Sequence, residues 1–276
     1  MIYWFANLIN MLEIGLIGGG FQHAYSSTFW KKPSYFTWAK NQTKEITCYV
    51  DEAIIDGLSN KESKKIAWIV ESSGIIPELI NDVKKYHKEI SKCFEFLISH
   101  DRSIVSLEDN FYYLPPSGYW IQNPACYPKD KLCSMIVSNK TQCQGHLYRL
   151  EWAKKLKDKL DLYGRGIRDF LNKEDALQDY MFSVTMENAS YDGYWSEKIL
   201  DCFACGTIPI YYGDTNIGKY FNTDGIIFLE ENFDPNNLTP ELYLSKEDAI
   251  IDNFNRCLEY DIIEDILWNK YIKNII

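Results

Sequence analysis

The stretch whose reading decides the fold is residues 180–228, YMFSVTMENASYDGYWSEKILDCFACGTIPIYYGDTNIGKYFNTDGIIF. It reads in order as strand, polar loop, helix, strand, glycine turn and short strand. Phe182 to Met186 is a short apolar run with branched residues, which predicts a buried parallel strand. Ser196 stands where a helix cap belongs, Glu197 and Lys198 fall in the first turn, and Gly206 ends the helix. TIPIYYG (207–213) returns as a strand closed by glycine. The result is an α/β unit with its polar loop at the carboxyl end of a strand, where open α/β sheets bind ligands.

That loop carries a specific set of groups. Glu187 leaves the strand end. Tyr194 and Trp195 read as exposed aromatics able to cover a base or a sugar. Ser196, Glu197 and Lys198 sit at a helix N-terminus, where unpaired N–H groups favour an anion. A lysine there opposes the helix dipole, and a bound phosphate or diphosphate reverses that balance. Glu197 can accept two ribose hydroxyls. A solvated capping sequence is the competing reading, and the chemistry alone leaves the two even.

The same residues carry a family resemblance. Phe182, Glu187, Asn188, Tyr194, Glu197, Lys198, Gly206, Pro209, Tyr211, Gly213, Phe221 and Asn222 resemble, in order and spacing, the donor-binding motif of the α1,3/α1,4-fucosyltransferases, glycosyltransferase family 10. Ser196 replaces the usual threonine and keeps its hydroxyl, and Tyr212 stands where tryptophan is common. Upstream, Ser138, Asn139 and Arg149 resemble the family's strand, S-N and arginine-bearing helix. Asp161 to Gly166 resembles its D-x-Y-G-x-G turn. Glu71 matches a strand-end glutamate, and FEFLISHDRSI has His100 where the family has phenylalanine. The match is densest over 130–230 and extends more loosely over 60–120.

The resemblance implies an α/β fold of the GT-B kind. Two Rossmann-like domains face each other, and a C-terminal helix packs back toward the first. It implies inverting transfer of L-fucose from GDP-fucose to a glycan hydroxyl. Arg149 and Lys198 then counter the diphosphate, Glu197 holds the ribose, Tyr194 flanks the nucleotide, and Asn188 and Ser196 complete the donor site. Glu71 is the general base. Glu187 is a rival base, assigned instead to the fucose ring, and His100 is a third candidate. No D-x-D stands at a strand end, and Lys198 with Arg149 supplies counter-charge, so donor activation without a metal is expected. No cofactor is required beyond the donor substrate. The alternatives are a glycosyltransferase using another nucleotide sugar, or a non-catalytic relative that binds a glycan or nucleotide.

The rest of the chain fits such an enzyme. Its 276 residues are 46% hydrophobic and 15% aromatic, enough for two domains. A net charge of -10 without a long basic patch argues against nucleic acid as the principal partner. GYWIQNPACYPKDK (118–131) reads as a linker. It divides an acceptor-side domain with the base (1–125) from a donor-binding domain (126–250) and a C-terminal helical segment (251–276). Strands are expected at 46–50, 65–70, 94–99 and 134–138, and helices near 78–90, 147–160 and 173–180. Aromatic-rich loops at 20–40 (Phe29, Trp30, Tyr35, Phe36, Trp38) and 109–125 (Tyr112, Tyr113, Tyr119, Trp120) are expected to line the acceptor side. They point to an oligosaccharide or glycolipid headgroup, and the family favours N-acetylglucosamine in a lactosamine-like chain. For any one ring, ordinary core is the stronger reading.

No run reaches the roughly 18 apolar residues needed to cross a bilayer. The opening MIYWFANLINMLEIGLIGGG is apolar but interrupted by asparagines and Glu13. It reads as a buried segment and leaves peripheral membrane contact open. The glycines at 18–20 fit a flexible turn near the acceptor cleft better than a phosphate loop. Cys202 and Cys205 read as a helix core face rather than a redox pair. Cys126, Cys133, Cys143 and His146 give only a faint zinc pattern. Reduced cysteines in the cytoplasm are the simplest expectation.

Overall fold

The computed structural model describes residues 11–21, 24–61 and 64–276. The first half of the opening segment, residues 1–10, lies outside the described residues, and with it that part of the membrane-contact expectation.

The first sheet is built from β1 (Leu12–Ile17), β2 (Phe36–Lys40), β3 (Ile46–Val50), β4 (Lys64–Ile69), β5 (Phe96–Ser99) and β6 (Phe111–Tyr113). Its order is β2-β1-β3-β4-β5-β6, and all its described pairings are parallel. β3 is buried at every position, as a parallel strand covered on two faces must be. A short helix α1 (Ala53–Gly57) follows β3, and α2 (Pro77–Cys93) joins β4 to β5. Pro77 starts α2, where its missing N–H is harmless, and Leu79, Ile80, Val83 and Ile90 form its buried stripe. The one-turn helix α3 (Arg102–Val105) is capped by Asp101, which accepts the Ser103 N–H at 2.8 Å.

The second sheet contains β7 (Lys131–Ile136), β8 (Asp161–Tyr163), β9 (Tyr180–Met186), β10 (Ile208–Tyr212) and β11 (Ile227–Phe228), in the order β11-β10-β9-β7-β8 and again parallel. α4 (Gln144–Leu156) follows β7, and α5 (Glu197–Ala204) joins β9 to β10. Gly206 closes α5 at φ +66°, in the left-handed region that favours glycine. Gly145 is needed for a different reason. A Cβ there would lie 2.1 Å from the Asn188 carbonyl oxygen, so only glycine lets α4 begin this close to the loop after β9.

The two sheets share one topology. In each, the first strand sits between the second and the third, so a crevice opens where the strand order reverses. In the first sheet that point lies between the ends of β1 and β3, and in the second between β7 and β9.

The chain closes with α6 (Pro240–Leu244), α7 (Glu247–Cys257) and α8 (Ile263–Lys270). α7 packs on α5, with Cys257 in the same apolar cluster as Leu200 and Phe203. Ile263, Leu267 and Ile272 instead join Ile14, Leu16 and Phe36 of the first sheet. The terminal helix thus packs back on the first domain. The expected division at 250/251 falls inside α7.

Three local expectations are corrected. Residues 173–180 are not a helix. A single 3-10 turn, Lys173–Ala176, is held by an Asn172–Asp175 capping box. The chain then joins β9 at Tyr180, paired with Lys131. Phe36 and Trp38 are not acceptor-facing. They lie in β2, buried against Trp268 and Trp68. Tyr112 and Tyr113 form an edge strand, and Tyr112 stacks on Tyr271 at 4.6 Å.

Candidate active site

A cavity of about 440 Å³ lies where the carboxyl ends of the two sheets meet. The first sheet contributes Gly20 beyond β1 and Val70 and Glu71 beyond β4. The second contributes Ser138 and Lys140 beyond β7 and Asn188 beyond β9. The starts of α4 and α5 add His146, Arg149, Ser196, Glu197 and Lys198. Both switch points therefore open onto one space. Of the residues singled out from sequence, Glu71, Arg149, Asn188, Tyr194, Ser196, Glu197 and Lys198 line it.

Glu187 lies just beneath. It has no exposed surface. Ser196 donates to it twice, from the backbone N–H at 2.9 Å and from Oγ at 2.7 Å. Lys198 Nζ donates to Oε2 at 3.2 Å. A buried carboxylate needs such partners. Glu187 is thus turned toward the α5 cap rather than the open cavity.

Charges of alternating sign continue from Lys198. Its ammonium lies 3.5 Å from Glu197, Glu197 lies 3.5 Å from Lys173, and Lys173 lies 2.6 Å from Asp201. Burial pushes Glu197 upward, but Lys198 and Lys173 outweigh it and hold the carboxyl down at about 2. Burial wins at Asp201, raised to about 6 despite Lys173. Asp201 Oδ1 also accepts the Trp120 N–H at 2.6 Å. Lys173 and Asp201 were not singled out from sequence. They stand 28 residues apart, and no local pattern ties them.

Arg149 is buried. It donates to the Met186 carbonyl at 2.7 Å and to Asn188 Oδ1 at 3.0 Å. It therefore fixes the end of β9 as well as facing the cavity. His146 Nδ1 accepts the Gln142 N–H at 3.2 Å. Burial lowers its pKa, and Arg149, Lys140 and Lys198 lower it further.

Tyr194 and Trp195 are not exposed. Their relative exposures are 3% and 0%. Tyr194 stacks on Tyr191 at 5.1 Å and packs on His100 at 4.8 Å. Trp195 is enclosed by Tyr220, Phe221 and Tyr260. Sequence reading exposes the two rings because part of their cover is distant, His100 from the first domain and Tyr260 from beyond α7.

On the acceptor side, Glu71 is partly buried and has no salt-bridge partner among the described residues. Burial raises its pKa, with Lys198 and Lys140 pulling the other way. Its turn is held from below. Asp51 Oδ1 accepts the N–H groups of Val70 at 2.8 Å and of Glu71 at 3.1 Å. His100, the third candidate base, has no exposed surface and does not line the cavity. Phe29 and Trp120 stack at 5.1 Å along the cavity's outer wall.

Among the described residues, no three His, Cys, Asp or Glu side chains gather so as to hold a metal ion. Cys202 and Cys205 are buried core residues on α5 and just past its end. No helix of the described residues is long and apolar enough to cross a membrane.

Comparison with known proteins places this geometry. The model of the glycosyltransferase family 10 (fucosyltransferase) C-terminal region matches residues 126–271. The α-(1,3)-fucosyltransferase FucT of Helicobacter pylori is 38% identical over 65 residues, 23% of this chain and 14% of that protein. The human 4-galactosyl-N-acetylglucosaminide 3-α-L-fucosyltransferase 9 is 25% identical over 120 residues, 41% of this chain and 33% of that protein. The matched stretches thus span a third or less of these relatives' own lengths. Among solved structures, an α1,3-fucosyltransferase with GDP has a TM-score of 0.53 at 16% identity, covering 95% of each chain. A solved α1,3-fucosyltransferase with GDP-fucose has a TM-score of 0.51 at 16% identity, covering 95% of this chain and 92% of that one. The fold is thus that of a GT-B glycosyltransferase, and with more than half its length matched, the chain belongs to glycosyltransferase family 10, the fucosyltransferases.

Proposed function

We propose that this protein transfers L-fucose from GDP-fucose to a glycan hydroxyl, with inversion and without a bound metal. The observation that carries this reading is one cavity holding two opposed sets of groups. Lys198 at the start of α5 and Arg149 of α4 lie on the second domain, and a partly buried glutamate with no salt-bridge partner among the described residues lies on the first. Membership of the fucosyltransferase family supports GDP-fucose as the donor, while the motif's own residues point to a diphosphate more firmly than to fucose.

In this reading Glu71 takes the proton from the acceptor hydroxyl as that oxygen attacks the anomeric carbon. The bond to the diphosphate breaks on the opposite side of the ring, which inverts the centre. Lys198, Arg149 and the N–H groups opening α5 receive the charge that develops on the leaving diphosphate. Glu197, held ionised, accepts the ribose hydroxyls. Sequence alone assigns Glu187 to the fucose ring. Its burial supports a role through Lys198 and Ser196, holding the ammonium toward the donor. Tyr194 forms the floor of the cavity beside the nucleotide.

The proposed domain roles follow: acceptor and base on the first, donor on the second. An oligosaccharide or glycolipid headgroup is the proposed acceptor. A cytoplasmic setting is proposed with it, six of the eight cysteines being buried core residues. The test is donor binding and turnover with GDP-fucose beside GDP-mannose and UDP-sugars, with an N-acetyllactosamine acceptor and EDTA present. Preference for a UDP-sugar, or loss of turnover in EDTA, contradicts the corresponding part of the reading.

A further inference from the structure

The loop that follows β9, residues 187–196, reaches across to the first domain. A Cβ on Gly193 would lie 2.4 Å from the His100 carbonyl oxygen. Tyr113 Oη donates to the Gly193 carbonyl at 2.9 Å. The donor loop is therefore seated against the ends of β5 and β6.

Within that contact, three hydrogen bonds form a closed path around the Glu71 turn. His100 Nε2 lies 3.1 Å from the Glu71 carbonyl oxygen. Tyr191 Oη lies 3.3 Å from His100 Nδ1. The Ser73 N–H donates to Tyr191 Oη at 3.2 Å. Chemistry fixes the direction of each bond. A carbonyl oxygen can only accept, so Nε2 carries the ring proton. Nδ1 of the neutral ring then accepts, so Tyr191 supplies its O–H. Its oxygen keeps a lone pair for Ser73. One tautomer satisfies all three, and burial favours that neutral ring, with the pKa lowered to about 4.

We propose that Tyr191 and His100 form an interdomain latch that registers the Glu71 turn against the donor loop, and that they are positioning residues for transfer. The proposal rests on Glu71 acting as the base. Tyr191 belongs to the domain that holds the donor, and Glu71 to the domain that holds the acceptor. Ordinary packing would keep each loop in shape within its own domain. The latch sets the distance between them, which is the quantity an in-line displacement depends on. Tyr191 also stacks on Tyr194, a cavity wall, so the donor site and the Glu71 turn share a rigid aromatic contact.

The test uses the whole chain, with GDP affinity by calorimetry and transfer kinetics from GDP-fucose to N-acetyllactosamine. Tyr191→Phe removes one oxygen and keeps the ring stack. It is expected to lower kcat about tenfold or more, with GDP affinity and donor KM held. His100→Phe is expected to do the same, and the double variant to be no worse than either single, because the bonds form one path. His100→Gln keeps an N–H toward the Glu71 carbonyl and should recover part of the loss. If His100→Phe does not fold, Tyr191→Phe and His100→Gln carry the test. An unchanged kcat in Tyr191→Phe, or a fall in GDP affinity matching the fall in kcat, overturns the latch. Glu71→Gln is measured in parallel. If it transfers at the wild-type rate, the base assignment fails by itself. The latch is then judged by hydrogen exchange at the Ser73 amide. Faster exchange in Tyr191→Phe supports it, and unchanged exchange overturns it.

Discussion

Lys198 Nζ lies 3.2 Å from a Glu187 carboxylate that has no exposed surface. The pair is buried on one side only. Glu187 is sealed beneath the α5 cap, while a quarter of the lysine side chain remains accessible from the cavity. An anion entering the cavity therefore meets an ammonium already oriented by its fixed partner.

Lys198→Ala should act on binding and on stability. Removing a charge-assisted contact to a diphosphate costs about 1.5–3 kcal/mol, or roughly ten- to hundredfold in affinity. Calorimetric titration with GDP measures it. The same change leaves Glu187 with only its Ser196 partners, so the melting temperature should also fall. A folded Lys198→Ala protein with unchanged GDP affinity contradicts the donor assignment.

Glu71→Gln should retain GDP-fucose binding and lose transfer by about a hundredfold or more. The pH profile gives a second check. A base must be ionised to work, and burial raises Glu71. The acid limb of kcat/KM should therefore lie above the ordinary carboxylate range, with activity falling as pH falls through it.

Glu197→Gln should abolish discrimination at the sugar. An ionised carboxylate accepts from two hydroxyls, whereas an amide offers one acceptor. The measurement is the affinity ratio of GDP to 2′-deoxy-GDP. It should be about tenfold or more in the parent and near unity in the variant. Equal ratios in the two proteins would place the ribose elsewhere.

Glu264 sets a pH dependence of stability from just behind the cavity's first-domain wall, because its partner Ser27 lines the cavity. It is buried on α8, where it accepts the Ser27 N–H at 2.6 Å and faces Trp38 Nε1 at 3.4 Å. Burial raises its pKa from 4.5 to about 7. Between those values the folded state holds a proton that the unfolded state has released. This contribution is fully present below pH 4.5 and is lost as pH rises to about 7. Glu264→Gln should therefore raise the melting temperature more at pH 8 than at pH 5. An equal shift at the two pH values would show that the carboxyl titrates normally.

Much of the fold was legible because parallel strands announce themselves. Residues 46–50 form an unbroken buried run and give β3 directly, and Ser196 and Gly206 bound α5 as read. β1 and β2 were harder. Glu13 and Gly15 interrupt the first, and the aromatics of the second read as a sugar-facing surface. Trp38 becomes core only through Phe36 beside it and Trp68 from another strand. The donor residues from Asn188 to Lys198 were visible because they cluster within a dozen positions, whereas Arg149 stands 39 residues before Asn188 and was reached only through the family resemblance. Lys173 was not visible, since its partners lie on α5, and Tyr194 was taken for a surface ring because His100 covers it from the other domain. What sequence hid in each case was a contact between distant segments.

The return of α8 to the first sheet has a consequence for synthesis. Ile263, Leu267 and Ile272 complete the same apolar cluster as Ile14, Leu16 and Phe36. On the ribosome, the earliest strands emerge with one face uncovered and stay so until residue 272 has been made. At about 5–20 residues per second that wait is on the order of 10–50 s. The second domain, whose strands and packing helices α5 and α7 are all made by residue 257, can close before the first does. The elements of the second domain's core are thus all made before α8, the piece that completes the first. The exposed early sheet is the species a chaperone would meet.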